Sequence, residues 1–165
     1  MINAAIVGYG NIGKAVHEAM LESKDIRLKY VVTSKNLSIG VPLLKDISEL
    51  KDVDVAILCS PSRAVPGIAA SLLAKGISTV DSYDIHTNIA DVRLQLDAVA
   101  KEHRCAAIIA AGWDPGSDSV VRALMTAMLP KGITYTNFGP GMSMGHTVAV
   151  KAIPGIKDAL SMTIP

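Results

Sequence analysis

The chain has 165 residues, of which 50% are hydrophobic, 19% charged and 4% aromatic, so it can bury one aliphatic core and at most part of a second domain. A net charge of +1 without a Lys/Arg run offers no field for nucleic acid, and no apolar run approaches the roughly 20 residues that cross a bilayer. Cys59 and Cys105 lie in apolar runs and read as buried reduced thiols, and Met1-Ile2-Asn3-Ala4-Ala5 lacks a basic signal region, so a soluble cytoplasmic protein is expected.

In chain order, residues 4–7 are the first predicted strand and residues 11–22 a helix with Ile12, Val16, Ala19 and Met20 on one face. Strands follow at 28–32 and 53–59. Pro61-Ser62-Arg63 leads into a helix to residue 74 that buries Val65, Ile68, Leu72 and Leu73, and Gly76 stops it. Residues 77–80 form the next strand, and 89–102 a helix striped by Ile89, Val92, Leu96 and Val99. The apolar run 105–111 reads as a buried strand. This alternation predicts an α/β fold, a Rossmann-type doubly wound parallel sheet. Past Gly112 the texture changes. Ser117 caps a helix to residue 128, Pro130-Lys131-Gly132 turns the chain, and residues 133–138 read as a strand. A glycine-rich loop over 139–146, a short helix and a strand near 160–164 complete the chain. These boundaries divide it into a dinucleotide-binding domain, 1–112, and the start of an α+β substrate and dimerisation domain, 113–165.

Gly8-Tyr9-Gly10-Asn11-Ile12-Gly13 follows the first strand and opens an amphipathic helix, which is the context a dinucleotide loop needs. Gly8 permits a tight turn, Gly10 lets a pyrophosphate approach, and Gly13 allows the helix to pack closely; Asn11 and Ile12 begin the helix, whose free N–H groups face the phosphate. A glycine turn without a ligand, or a loop for FAD or a nucleotide sugar, are the other readings. An NAD site wants an acid at the C-terminal end of the second strand. Asp25 lies at the opposite end, and the correct end carries Thr33-Ser34-Lys35. Two hydroxyls and an ammonium suit a 2′-phosphate, so NADP is the expected cofactor; a solvated polar turn is the alternative.

Loops at strand C-termini of a parallel sheet converge on one crevice. Ser60-Pro61-Ser62, Asp81-Ser82-Tyr83-Asp84 and Gly112-Trp113-Asp114 therefore belong together, with Ser60, Pro61, Ser62 and Tyr83 on the cofactor side. Asp84 and Asp114 arrive without an obvious basic partner, which suggests a ligand that brings an ammonium. Either acid can instead cap a helix or form a turn, and Trp113 is either core or a substrate wall. The loop at 139–146 can offer backbone N–H groups to a carboxylate. Met142 and Met144 suit an aliphatic chain or ordinary packing, and His146 a general base or a helix cap. No metal site and no Ser-His-Asp arrangement is expected.

Val7-Gly8-Tyr9-Gly10-Asn11-Ile12-Gly13, Val80-Asp81-Ser82-Tyr83-Asp84, Gly112-Trp113-Asp114-Pro115-Gly116 and the segment from Asn137 to His146 together resemble the meso-diaminopimelate D-dehydrogenase family, nearest its branch with relaxed substrate range. The resemblance implies lysine biosynthesis, a homodimer, and reversible NADP-dependent oxidative deamination of meso-2,6-diaminopimelate or other D-amino acids. The D-centre passes hydride to the nicotinamide, and water converts the imine to L-2-amino-6-oxopimelate and ammonia. It also implies that Asp84 and Asp114 hold the reacting amino group and that Trp113 shapes the pocket. Met144 and Gly145 would contact the substrate chain and carboxylate, and Thr163 would lie on the strand entering the pocket. Two features depart from the family: it usually has arginine where this chain has Thr33-Ser34-Lys35, and its chains are much longer. A basic, histidine-bearing half of the pocket and most of the dimerisation domain are expected beyond Pro165, as is a segment returning to the nucleotide domain. The chain is thus expected to be a fragment or a small relative that needs a partner, with sheet edges and apolar patches exposed. A catalytically incomplete NADP-binding module, or an enzyme like dihydrodipicolinate reductase, are the alternatives; the Gly-Trp-Asp-Pro-Gly segment argues against the second.

Overall fold

The computed structural model describes residues 1–133, 141–142 and 144–164. β1 (Ile2–Val7) leads into α1 (Asn11–Leu21), which returns the chain to β2 (Ile26–Val32). A two-residue strand, β3 (Leu43–Leu44), precedes β4 (Val55–Leu58), α2 (Val65–Leu73) and β5 (Ser78–Asp81). Then come α3 (Ile89–Glu102), β6 (Ala107–Ile108) and α4 (Ser117–Met128). These six strands form one sheet in the order β3-β2-β1-β4-β5-β6, and every pairing in it is parallel. The order reverses between β1 and β4, where a doubly wound sheet opens its ligand crevice.

Strand periodicity explains the two covered faces. Ala4 and Ile6 of β1 join Met20 of α1 and Val31 of β2 in one buried cluster. Ala5 and Val7 point the other way, into a larger cluster with Val65, Ala69, Leu72 and Leu73 of α2 and Val92, Leu96 and Ala100 of α3. The expected helix over 89–102 is observed with those bounds, since its buried residues recur every fourth position.

Several expectations are corrected. β3 is too short for a periodic signal, and the sequence predicts no strand there. The apolar run 105–111 is a strand only at Ala107–Ile108, on the sheet's edge, and Ile108 is 56% exposed. One open side and few partners leave that run half-covered instead of buried. Both cysteines are likewise partly buried. Ser117 is the first residue of α4 and not the cap before it. α4 leaves Val120, Leu124, Met125 and Met128 exposed.

The chain divides into two compact units, Met1–Ala123 and Leu124–Pro165. In the second, β7 (Gly141–Met142) pairs antiparallel with β8 (Met162–Thr163), and α5 (Met144–Lys151) lies between them in sequence. The described part of the segment expected as a glycine-rich loop is therefore strand and helix. The expected strand at 133–138 lies outside the described residues beyond Ile133. No helix among the described residues is long and apolar enough to cross a membrane.

Leu72 is fully buried between α2 and its neighbours. Leu72→Ala is expected to lower unfolding free energy by about 2–5 kcal/mol, read as a shift in the urea midpoint at unchanged slope.

Candidate functional site

Hydrogen bonds tie the loops at the C-terminal edge of the parallel sheet to one another. Gly8 N–H donates to the Val32 carbonyl at 2.9 Å, and Cys59 N–H to the Val7 carbonyl at 2.8 Å. Ser60 Oγ donates to the same Val7 carbonyl at 3.3 Å. Ser62 Oγ donates to Asp84 Oδ1 at 2.5 Å, and Ala111 N–H to the Asp81 carbonyl at 2.8 Å. The loops after β1, β4, β5 and β6 are thus linked in series.

The glycines of the first loop divide by what a side chain would meet. A Cβ on Gly13 would collide with the Gly8 carbonyl oxygen, so glycine is required for α1 to sit this close to the loop. A Cβ on Gly8 would lie 2.6 Å from the Cys59 carbonyl oxygen, and Gly8 has φ +96°. Gly10 differs: it has φ −87° and its Cβ would meet nothing within 4 Å. Neither strain nor packing within the chain calls for glycine there, which fits a group approaching from outside. Asn11 and Ile12 are exposed on the first turn of α1, beside that open space. Cys59 lies behind the loop, where burial pushes its thiol up to about 11.

At the end of β2, Thr33 is buried while Ser34 and Lys35 are exposed. Lys35 Nζ donates to the Tyr9 carbonyl at 3.2 Å, so this ammonium bridges the second strand's turn and the glycine loop. A second ammonium, which no sequence motif marks, lies beside it. Lys45 Nζ donates to the Ser34 and Lys35 carbonyls at 3.1 and 3.2 Å and to Asn36 Oδ1 at 2.9 Å. It arrives through β3, which carried no periodic signal. Asp25 stands at the far end, its carbonyl accepting from Ile2 N–H at the start of β1.

The carboxylates differ from expectation in one respect. Asp84 is exposed and, among the described residues, takes only the Ser62 hydroxyl. Asp114, expected to lack a basic partner, accepts from Arg122 Nη2 at 2.6 Å and from Ser119 Oγ at 3.1 Å, both on Oδ1. Arg122 lies eight residues on, and the tight turn through Pro115 and Gly116 brings α4 back under Asp114; only the turn's geometry reveals that contact. Arg122 Nε also reaches Asp118 Oδ2 at 3.3 Å, an i,i+4 pair visible as spacing. Among the described residues, Oδ2 of Asp84 and of Asp114 makes no hydrogen bond.

Trp113 is 59% exposed and belongs to no core cluster, which removes its reading as a core residue. Tyr83, at 3% exposure, does belong to the core, with its N–H donated to Asp81 Oδ1. Gly112 abuts the preceding loop: a Cβ there would sit 3.3 Å from Ser82 Cβ. Pro61 is exposed and Ser60 and Ser62 partly buried. In the second unit, Met144 and Gly145 open α5, and Thr163 pairs with Gly141 across β7 and β8. No group of three or more His, Cys, Asp and Glu among the described residues is placed to hold a metal.

Residues 2–111 match the oxidoreductase family with an NAD-binding Rossmann fold. The chain belongs to that family. Residues 112–165 match the diaminopimelic acid dehydrogenase C-terminal domain. The chain is 59% identical to the meso-diaminopimelate D-dehydrogenase of Bacteroides fragilis, over 99% of its own length and 57% of that protein's. An engineered D-amino acid dehydrogenase bound to NADP+ superposes with a TM-score of 0.81 at 34% identity, covering 96% of this chain and 51% of the other. The C. glutamicum DAP dehydrogenase in complex with DAP gives the same TM-score, 0.81, and the same identity, 34%, over 96% of this chain and 51% of that one. The chain thus spans about half the length of the relatives it matches.

The glycine loop separates fold from ligand. Gly10→Ala is expected to keep the unfolding free energy within about 0.5 kcal/mol of wild type while weakening nicotinamide dinucleotide binding about tenfold or more. Gly13→Ala is expected to lower both. Chemical denaturation and fluorescence titration of the same samples check the contrast.

Proposed function

We propose that the protein carrying this chain catalyses reversible NADP-dependent oxidative deamination of meso-2,6-diaminopimelate, or of other D-amino acids, at the D-centre. The observation that carries this reading is the pair Asp84 and Asp114, each with Oδ1 engaged by a protein donor, on adjacent loops of a dinucleotide-binding sheet. The Bacteroides fragilis relative's activity supports it.

The residues fit the dinucleotide: Gly10 leaves the approach open, and α1 presents its N-terminal N–H groups there. Lys35 and Lys45 place two ammonium groups at the ribose end of the turn after β2, with Thr33 and Ser34 as hydroxyls, which favours a 2′-phosphate over a bare 2′-OH. When bound, NADP accepts the hydride. The chain's own residues do the rest of the positioning. Asp84 and Asp114 hold the amino group, and Ser62, Ser119 and Arg122 orient those carboxylates. Trp113 forms an exposed wall beside them. Loss of the D-centre hydrogen as hydride and of one proton from nitrogen leaves an imine, and water replaces that nitrogen with oxygen to release ammonia. The same assignment places residues 1–112 in the nucleotide domain and 113–165 in the substrate domain.

A second reading is a nucleotide-binding module without turnover, supported by the match of residues 2–111 to the NAD-binding Rossmann family. NADPH titration and substrate-dependent NADP reduction at alkaline pH separate the two. Saturable binding with turnover of meso-2,6-diaminopimelate supports the enzyme, binding without turnover the module, and absence of binding defeats both. Within the enzyme reading, Asp114→Ala is expected to cut turnover by about a thousandfold with NADP affinity within about twofold of wild type. Ser34→Asp is expected to weaken NADP binding about tenfold or more, because a carboxylate beside the 2′-phosphate repels it, with NAD binding less affected.

A further inference from the structure

We propose that Asp81 is a positioning residue that holds the two acid-bearing loops in register; its place in the reaction rests on the roles given above to Asp84 and Asp114. Asp81 ends β5 and is 2% exposed. Its Oδ1 accepts from Tyr83 N–H at 2.9 Å and from Ala110 N–H at 3.4 Å, while its own carbonyl accepts from Ala111 N–H at 2.8 Å. One carboxylate oxygen is therefore shared by the residue just before Asp84 and by the segment that leads into Trp113 and Asp114.

Two further features point to a clamp and not to a filler of the core. Ala110 has φ +56°, a left-handed conformation that an alanine adopts only when its surroundings impose it, and two of the three ties to Asp81 come from Ala110 and its neighbour. Asp81 Oδ2 is buried with no hydrogen-bond partner among the described residues, as is Thr79 Oγ1 two residues earlier on the same strand face. A buried carboxyl with one idle oxygen is unfavourable for folding, and desolvation holds it above the ordinary carboxylate range against the two N–H donors. An ionised or polarised carboxyl is, in exchange, a stronger acceptor for backbone N–H than a neutral oxygen. The position thus costs stability and gains a firm joint between two loops.

The test uses the 165-residue chain and its single tryptophan, which lies on the clamped segment. Amide hydrogen exchange at Tyr83 and Ala110 and acrylamide quenching of Trp113 are measured in wild type, Asp81→Ala and Asp81→Asn. Asp81→Ala, folded by circular dichroism, is expected to speed exchange at both amides about tenfold or more and to raise quenching of Trp113; Asp81→Asn, which keeps a neutral oxygen of the same shape, is expected to fall between it and wild type. Wild-type exchange and quenching in folded Asp81→Ala overturn the clamp. If that variant does not fold, wild-type exchange at both amides in Asp81→Asn overturns it instead. In the deamination assay, Asp81→Ala is expected to raise KM for the amine about tenfold with NADP affinity within about twofold. A wild-type protein that binds NADP and turns over no amine defeats the oxidative deamination, and the exchange rates still decide the clamp.

Discussion

The approach of α1 to the end of β1 governs the rest of the structure. Gly13 rests on the Gly8 carbonyl with no room for a Cβ, and Gly8 in turn abuts the Cys59 carbonyl at the end of β4. With the helix pressed against the strand's end, its unpaired N–H groups face the crevice where the strand order reverses. Loosening this packing by one methyl group would move the helix N-terminus, the loop after β4 and the crevice between them. The open space at Gly10 is the counterpart of that crowding: the helix is close where the chain packs on itself and clear where a phosphate would approach.

From that anchor the polar chemistry spreads along the sheet's C-terminal edge. Ser60 ties the β4 loop to β1, Ser62 ties it to Asp84, and Asp81 ties the β5 loop to the segment after β6. A parallel sheet delivers its loops to one edge, but it does not by itself fix their side chains. Serine hydroxyls and a buried carboxylate supply that order here, at the expense of placing polar groups where apolar ones would fold more readily. Arg122 belongs to the same logic. It orients Asp114 from beneath and also pairs with Asp118.

Much of this was legible in residue order. The helix over Ile89–Glu102 is legible with its observed bounds, because Ile89, Val92, Leu96 and Val99 recur at the helical period. β1 and the glycine loop were equally plain, since a short apolar strand followed by that glycine spacing has few other uses. β3, with two residues, offered no period to detect, and Lys45 was lost with it. The run Cys105–Ala111 was too apolar to reveal that it ends a sheet; hydrophobicity records what a residue can bury, whereas exposure depends on whether a neighbouring strand exists.

Sequence alone determined the class of fold, the family and the cluster of loops that hold chemistry, because these follow from local periodicity and short contiguous motifs. Tertiary structure decided which charges meet. Asp114 has a guanidinium against it because a tight turn folds α4 back. Asp81 reaches Ala110, 29 residues further on, because β5 and β6 are neighbours. Hydrogen bonds act over about 3 Å, and that proximity is created by chain reversal and strand order, which no window along the sequence contains.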